Sequence, residues 1–265
     1  MRGLSRRIPA VTAILLFVSF TFSSCQAAGL LFTENGEIEC GGDGKAIILD
    51  NNPAAVNPTF DELIAFIKSD PTDTREYIAD GPDAYVCADF AEEVHNNAES
   101  AGIRAAWVGV TFENTAEGHA INAFETTDKG LVYIDCTSGG KTHDEDATVN
   151  SWDTIAYVQI GSKYGVIHVD RAASLGYNYY VEYEKAWQSY RNNLASYNEE
   201  VDEYNGEIQG KVFTLGSPEA ISIEAWRERL DEQSETLNEM EKELGIYWYE
   251  SEFSQRIVKN TLIHW

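Results

Sequence analysis

The stretch YVCADFAEEVHNNAESAGIRAAWVGV, from Tyr85 to Val110, contains a complete helix-to-strand unit with a cysteine at its start. Apolar side chains recur on one side of the segment that follows Cys87, and they end before Gly102, a residue suited to a left-handed helix cap. β-Branched and aromatic residues then dominate from Ile103 to Phe112. We therefore predict an amphipathic helix that begins just after Cys87 and leads into a strand.

The flanking segments extend this unit into an α+β fold. Upstream, Thr59 precedes Glu62 by three residues, which is the spacing of a capping box at the start of an amphipathic helix. Downstream, alternating apolar residues and turn sequences predict two hairpins, in the segments 119–137 and 154–170. One or two helices followed by several short antiparallel strands predict an α+β core.

A different periodicity begins near Tyr183. Large apolar residues alternate at intervals of four and three, as in a heptad seam: Tyr183, Trp187, Tyr190, Leu194, Tyr197, Val201, Tyr204 and Ile208. Ser217 and Pro218 then suit the N-cap and first residue of a second helix. We predict an antiparallel helical hairpin whose seam is buried between its own helices. The alternative is an arm that binds a partner or acts as a spacer.

These patterns divide the chain into four parts. The predicted parts are a signal peptide (1–24), a globular domain (25–178), the helical hairpin (179–246) and a C-terminal segment (247–265). Apolar and polar residues alternate in the C-terminal segment, which predicts a strand that returns to the core.

The N-terminus has the order of a secretory signal. Basic residues precede an apolar run that is too short for a comfortable membrane span. The sequence FSSC then resembles a lipoprotein processing box in which Cys25 carries the lipid, although Phe22 replaces the usual leucine. We expect export and attachment to the membrane through a lipid on Cys25. The alternative is ordinary cleavage, for example after Ala27, and secretion.

Charge excludes one class of partner. The net charge is −25, from 44 acidic and 19 basic residues, so little would neutralise nucleic-acid phosphates. We expect no contact with nucleic acid and no cofactor. The acidic run THDEDAT (142–148) matches no calcium-loop spacing, so we interpret it as a solvated loop and expect no metal.

Cysteine parity singles out one thiol. Apart from Cys25, the chain has Cys40, Cys87 and Cys136, and an odd number in an oxidising compartment leaves at least one without an intramolecular partner. Cys40 and Cys136 are candidates for a disulfide that leaves Cys87 free. This pairing rests on the compartment and on parity alone.

Cys87 has the position of a nucleophile. A thiol attacks as the thiolate, and the N-terminus of a helix favours that form. A cysteine nucleophile also needs a base and an acceptor that orients the base. His119 begins one strand of a predicted hairpin and Asp135 ends the other, 16 residues later. The even spacing places both side chains on one face if the loop is odd in length or contains a bulge.

Four segments taken in order, YVCADFA, GIRAAWV, GHAINAF and GLVYIDCT, resemble the transglutaminase-like superfamily, which has a papain-like Cys-His-Asp core. The resemblance is closest over 85–137 and looser over 57–170. It implies that Cys87 attacks a carbonyl carbon to give a thioester, that His119 transfers the proton and that Asp135 holds the imidazole. The backbone N–H of Cys87 would form part of the oxyanion hole.

The chain also departs from that family. Ile121 replaces the aromatic residue that many relatives carry two positions after the histidine, and Cys136 places a second thiol beside Asp135. We expect an extracytoplasmic acyl-transfer enzyme that acts on an amide in a protein or peptide of the cell envelope. Water as acceptor would make it a peptidase or amidase, and an amine would make it a transglutaminase. The competing hypothesis is a non-catalytic surface module that binds or assembles through the helical hairpin.

Overall fold

The computed structural model describes residues 31, 36, 38–138, 141–142, 151–245, 249–250 and 253–265. The predicted signal peptide and Cys25 lie outside these residues. Over the described part the chain is an α+β protein. Its helices are α1 (Phe60–Ser69), α2 (Cys87–Ser100), α3 (Tyr177–Ile208) and α4 (Pro218–Leu244). Its strands are β1 (Ala106–Phe112), β2 (Gly118–Thr126), β3 (Gly130–Asp135), β4 (Lys141–Thr142), β5 (Thr154–Tyr157), β6 (Gly165–His168), β7 (Tyr249–Glu250) and β8 (Val258–His264).

Side-chain caps define where the first two long helices begin. Thr59 and Glu62 form both hydrogen bonds of a capping box at the start of α1. Helix α2 begins at Cys87 itself, one residue earlier than the apolar pattern predicts. The carboxylate of Asp89 accepts the backbone N–H of Val86 at 2.8 Å, which satisfies one of the free donors at this helix end.

Six strands form one antiparallel sheet in the order β6-β5-β3-β2-β1-β8. The C-terminal strand β8 pairs with β1 at one side of the sheet. Strands β2 and β3 are joined through three residues, and their register pairs Asn122 with Ile134. Asn122 and Ile134 therefore project from one face of the sheet. His119 and Asp135 lie an odd number of residues away from them, so both project from the other face, because side chains alternate along each strand.

Both faces of the sheet are buried. On one face, α1, α2 and the start of α3 cover apolar side chains that include Phe124 and Ile134. On the other face, a separate core contains Val108, Ile121 and Phe253. Hydrogen bonds between residues 161–164 and 255–258 join the two outer sides of the sheet, which curves around this second core.

Helices α3 and α4 form the predicted antiparallel hairpin, and α3 begins at Tyr177, before the heptad pattern starts. The end of the hairpin next to the sheet is anchored by Tyr180, whose ring lies directly over Gly165. A Cβ at position 165 would lie 2.1 Å from that ring, so only glycine fits there. Tyr183 also donates a hydrogen bond to the carbonyl of Leu244 at 2.6 Å. Within the described residues, no helix combines the length and the apolar character needed to cross a bilayer.

Candidate active site

Cys87 is the first residue of α2 and is partly buried. At this position its backbone N–H has no acceptor within the helix, because the first N–H groups of a helix lack a preceding turn. The thiol lies in the wall of a cavity that also contains His119. The nucleophile and base proposed from the sequence are therefore brought together, although 32 residues separate them (119 − 87 = 32).

His119 and Asp135 form a direct contact. Nε2 of the imidazole lies 2.7 Å from Oδ2 of the carboxylate, and both side chains are buried. Nδ1, the other ring nitrogen, is buried and has no conventional hydrogen-bond partner among the described residues. The Cys87 thiol is close enough to the ring to contribute to the raised pKa of His119. Because Asp135 occupies Nε2, Nδ1 is the nitrogen available to the thiol.

The carboxylate of Asp135 accepts hydrogen bonds from two further donors besides His119. The hydroxyl of Tyr164 donates to Oδ2 at 2.6 Å, and the backbone N–H of Thr137 donates to Oδ1 at 3.0 Å. Burial acts to raise the pKa of Asp135, but the neighbouring His119 and these donors outweigh it, and the pKa lies below its usual value. Asp135 is therefore an anion with its oxygens satisfied by fixed donors.

Two opposing effects act on the pKa of His119. Burial disfavours the charged imidazolium, but the charge and hydrogen bond of Asp135 outweigh burial and raise the pKa of His119, with a smaller contribution from Cys87. The ring is also confined by aromatic neighbours. Phe253 stacks on it with ring centroids 4.0 Å apart, and Tyr164 meets it edge-on at 5.5 Å. The site thus holds a protonated, oriented imidazole beside a thiol.

The cavity has a volume of about 400 Å³, within the range of sites for small molecules or single side chains. Strands β1 and β8 and the segment before α1 complete its wall. Besides Cys87 and His119, the residues that line the cavity include Leu31, Glu39, Trp107, Asn260 and His264. The cavity is therefore largely apolar, with a carboxylate and a few neutral polar groups.

The segment before α1 reaches the cavity because it is attached along α2. Asp89, Glu92 and Asn96 accept the backbone N–H groups of Gly42, Ile48 and Asp50 at 2.7 to 2.8 Å. These acceptors are three or four residues apart, so they lie on one face of the helix. The helix that presents Cys87 thus also fixes the segment that contains Glu39.

No protein family, no curated protein and no solved structure matches this chain. The resemblance to the transglutaminase-like superfamily is therefore still a prediction. The function is inferred from the geometry of the site.

The predicted disulfide between Cys40 and Cys136 is wrong, because both residues are free cysteines. Cys40 is exposed in the segment before α1, whereas Cys136 is buried in the core beneath the helices, where its thiol contacts Asp153 at 3.5 Å. Burial is the main cause that raises the pKa of the Cys136 thiol. An odd number of cysteines predicts a free thiol, but it does not tell which cysteines lie close enough to form a bond. Cys25 and residues 143–148 of the acidic run lie outside the described residues.

Sequence reasoning did not identify three residues of the site. Asp89 could have been found, because an acidic residue two positions after Cys87 suits the capping position of α2. Tyr164 and Phe253 could not, since they follow His119 by 45 and 134 residues (164 − 119 = 45 and 253 − 119 = 134). No motif or period connects residues so distant in the chain.

Proposed function

We propose that this protein is a cysteine-dependent acyl-transfer enzyme with a papain-like, transglutaminase-like catalytic core. The observation that carries the proposal is the arrangement of one imidazole between two partners. Nε2 of His119 contacts Asp135 at 2.7 Å, and Nδ1 is left for Cys87 at the start of α2. This order of nucleophile, base and orienting carboxylate is what thiol acyl transfer requires.

In the proposed reaction, the thiolate of Cys87 attacks the carbonyl carbon of an amide. The new S–C bond gives a tetrahedral intermediate, whose oxygen is stabilised by the backbone N–H of Cys87. As the C–N bond breaks, His119 donates its proton to the departing amine and a thioester remains. Water then releases a carboxylic acid, or an amine releases a new amide, with His119 accepting the proton of the attacking group. The substrate would be a protein or peptide, and the N-terminal pattern favours one in the cell envelope.

Labelling of Cys87 tests the proposal. We expect iodoacetamide at pH 5.5 to modify Cys87 rapidly in the wild-type protein and at least tenfold more slowly in His119→Ala, because the imidazolium stabilises the thiolate. His168→Ala is the matched control, since His168 lies outside the cavity and its loss should leave the rate unchanged. Peptide mapping by mass spectrometry assigns each label. A rate at Cys87 that equals the rate at exposed Cys40 in all three proteins would reject the catalytic role.

A second candidate function is partner binding by the helical hairpin, and one observation favours it. Val212 and Leu215, in the loop between α3 and α4, are 99% and 98% exposed. Two large apolar side chains exposed at the same tip favour a contact surface there. Replacing both with serine should abolish binding to the physiological partner without changing the labelling of Cys87.

A further inference from the structure

We infer that the cavity selects substrates that carry a cationic group close to the reacting amide, and that Glu39 binds this group. The inference rests on the proposed function, because it concerns the substrate that reaches Cys87. Glu39 and Cys87 lie in the wall of the same cavity. A carboxylate in such a position is the natural partner of an ammonium or guanidinium group.

The backbone holds Glu39 firmly. Its N–H donates to the carbonyl of Leu31, and its own carbonyl accepts the N–H of Ile47, both at 3.0 Å. Leu31 and Ile47 are themselves buried against α2 and β1. The backbone that carries the Glu39 side chain is therefore fixed in the wall of the cavity.

Glu39 has no lysine or arginine beside it in the cavity wall, among the described residues. The charged imidazole of His119 lies in the same wall, but it is paired with Asp135. Burial raises the pKa of Glu39, which means that the charged form is partly stripped of water. A half-buried carboxylate without a cationic neighbour is stabilised when a cation enters the cavity.

An aromatic ring adds to this environment. Trp107 lies in the same wall, and its indole N–H donates to the carbonyl of Ala88 at 3.3 Å, which fixes the ring. Gly109 makes room for the ring, because a Cβ there would lie 3.2 Å from it. A carboxylate and an indole together are a suitable environment for a cationic group. His264, also in the wall, has a pKa lowered by burial, so it adds no competing positive charge at neutral pH.

Three thiol reagents with the same reactive group, one cationic, one anionic and one neutral, test the inference. Methanethiosulfonates transfer an aminoethylthio, a sulfonatoethylthio or a methylthio group to a thiolate, which gives a mixed disulfide and releases methanesulfinate. For Cys87 we expect the cationic reagent to react about tenfold faster than the anionic one at 0.15 M salt, relative to the same ratio for free cysteine in solution. A variant that loses a distant carboxylate corrects for the overall negative charge of the protein. Glu39→Gln should remove the preference.

Glu125→Gln is the matched control, because it removes the same charge from an exposed position on β2. It should retain the preference. Equal ratios in the wild-type protein, Glu39→Gln and Glu125→Gln, or an equal loss in both variants, would overturn the inference. The neutral methyl reagent separates this outcome from failure of the proposed function. Its rate at Cys87 should depend on His119 and should be the same in wild type and Glu125→Gln.

Discussion

Phe253 lies flat against the imidazole of His119, with ring centroids 4.0 Å and ring planes 20° apart. Phe253 comes from the segment after the helical hairpin, and it is buried in the core that the curved sheet encloses. Its other neighbours include Phe112, which stacks on it at 5.8 Å. The C-terminal segment therefore orients the proposed base, a role that its alternating pattern does not reveal.

Replacing Phe253 with leucine should slow the labelling of Cys87. The smaller side chain leaves the imidazole free to tilt away from the thiol, so we expect a threefold to tenfold lower iodoacetamide rate at pH 5.5. Stability should also fall, by about 1 to 2 kcal/mol, as for other reductions of buried apolar volume. Phe124→Leu is the control, because Phe124 is equally buried but packs beneath the helices. If both variants lose stability and label alike, Phe253 does not position the imidazole.

Tyr164→Phe tests the support of the carboxylate. The change removes the hydroxyl that donates to Asp135 at 2.6 Å and leaves the ring in place. Loss of a hydrogen-bond donor to a buried carboxylate should lower the free energy of unfolding by about 1 to 2 kcal/mol. Because Asp135 then holds the imidazolium less well, the labelling rate of Cys87 should fall severalfold.

Tyr157→Phe provides the comparison for this variant. The Tyr157 hydroxyl donates to the carbonyl of Ser174 at 2.7 Å, outside the site. Urea unfolding should show a similar loss of stability in the two variants, and only Tyr164→Phe should alter Cys87. Unchanged labelling in Tyr164→Phe would show that Asp135 does not need this donor.

The pair of His119 and Asp135 predicts a pH dependence of stability. A histidine in an unfolded chain has a pKa of about 6.5, whereas the folded protein raises the pKa of His119 to about 10. Between these values the folded state keeps a proton that the unfolded state has released. The stabilisation from His119 is therefore complete below about pH 6.5 and is lost as the pH rises toward 10.

Urea unfolding between pH 6 and pH 10 measures this effect as the difference between the wild type and His119→Gln. We expect the difference to be largest at pH 6 and to decrease steadily. His264→Gln is the control, because burial lowers the pKa of His264 and the ring is neutral above pH 7. Its difference from wild type should stay constant above pH 7. A constant difference for His119→Gln would mean that the buried pair is not ionised.

Features that depend on neighbouring residues could be predicted from the sequence. The capping box of Thr59 and Glu62 is a local interaction, so it marks the start of α1 without knowledge of the rest of the fold. The heptad seam likewise predicts the first long helix of the hairpin, because its period is a property of the helix itself. Cys87, His119 and Asp135 could be proposed because each lies at the end of an element that the sequence reveals.

What the sequence by itself determined was thus the elements, the α+β class and the three candidate catalytic residues. Only the tertiary structure decided that Phe253 stacks on His119, that Tyr164 donates to Asp135 and that Cys40 is exposed and unpaired while Cys136 is buried and unpaired. The physical reason is that helix caps and periods arise from interactions within a few residues. The contacts of the site instead arise where the sheet curves and brings distant segments together, and such contacts leave no regular spacing in the chain.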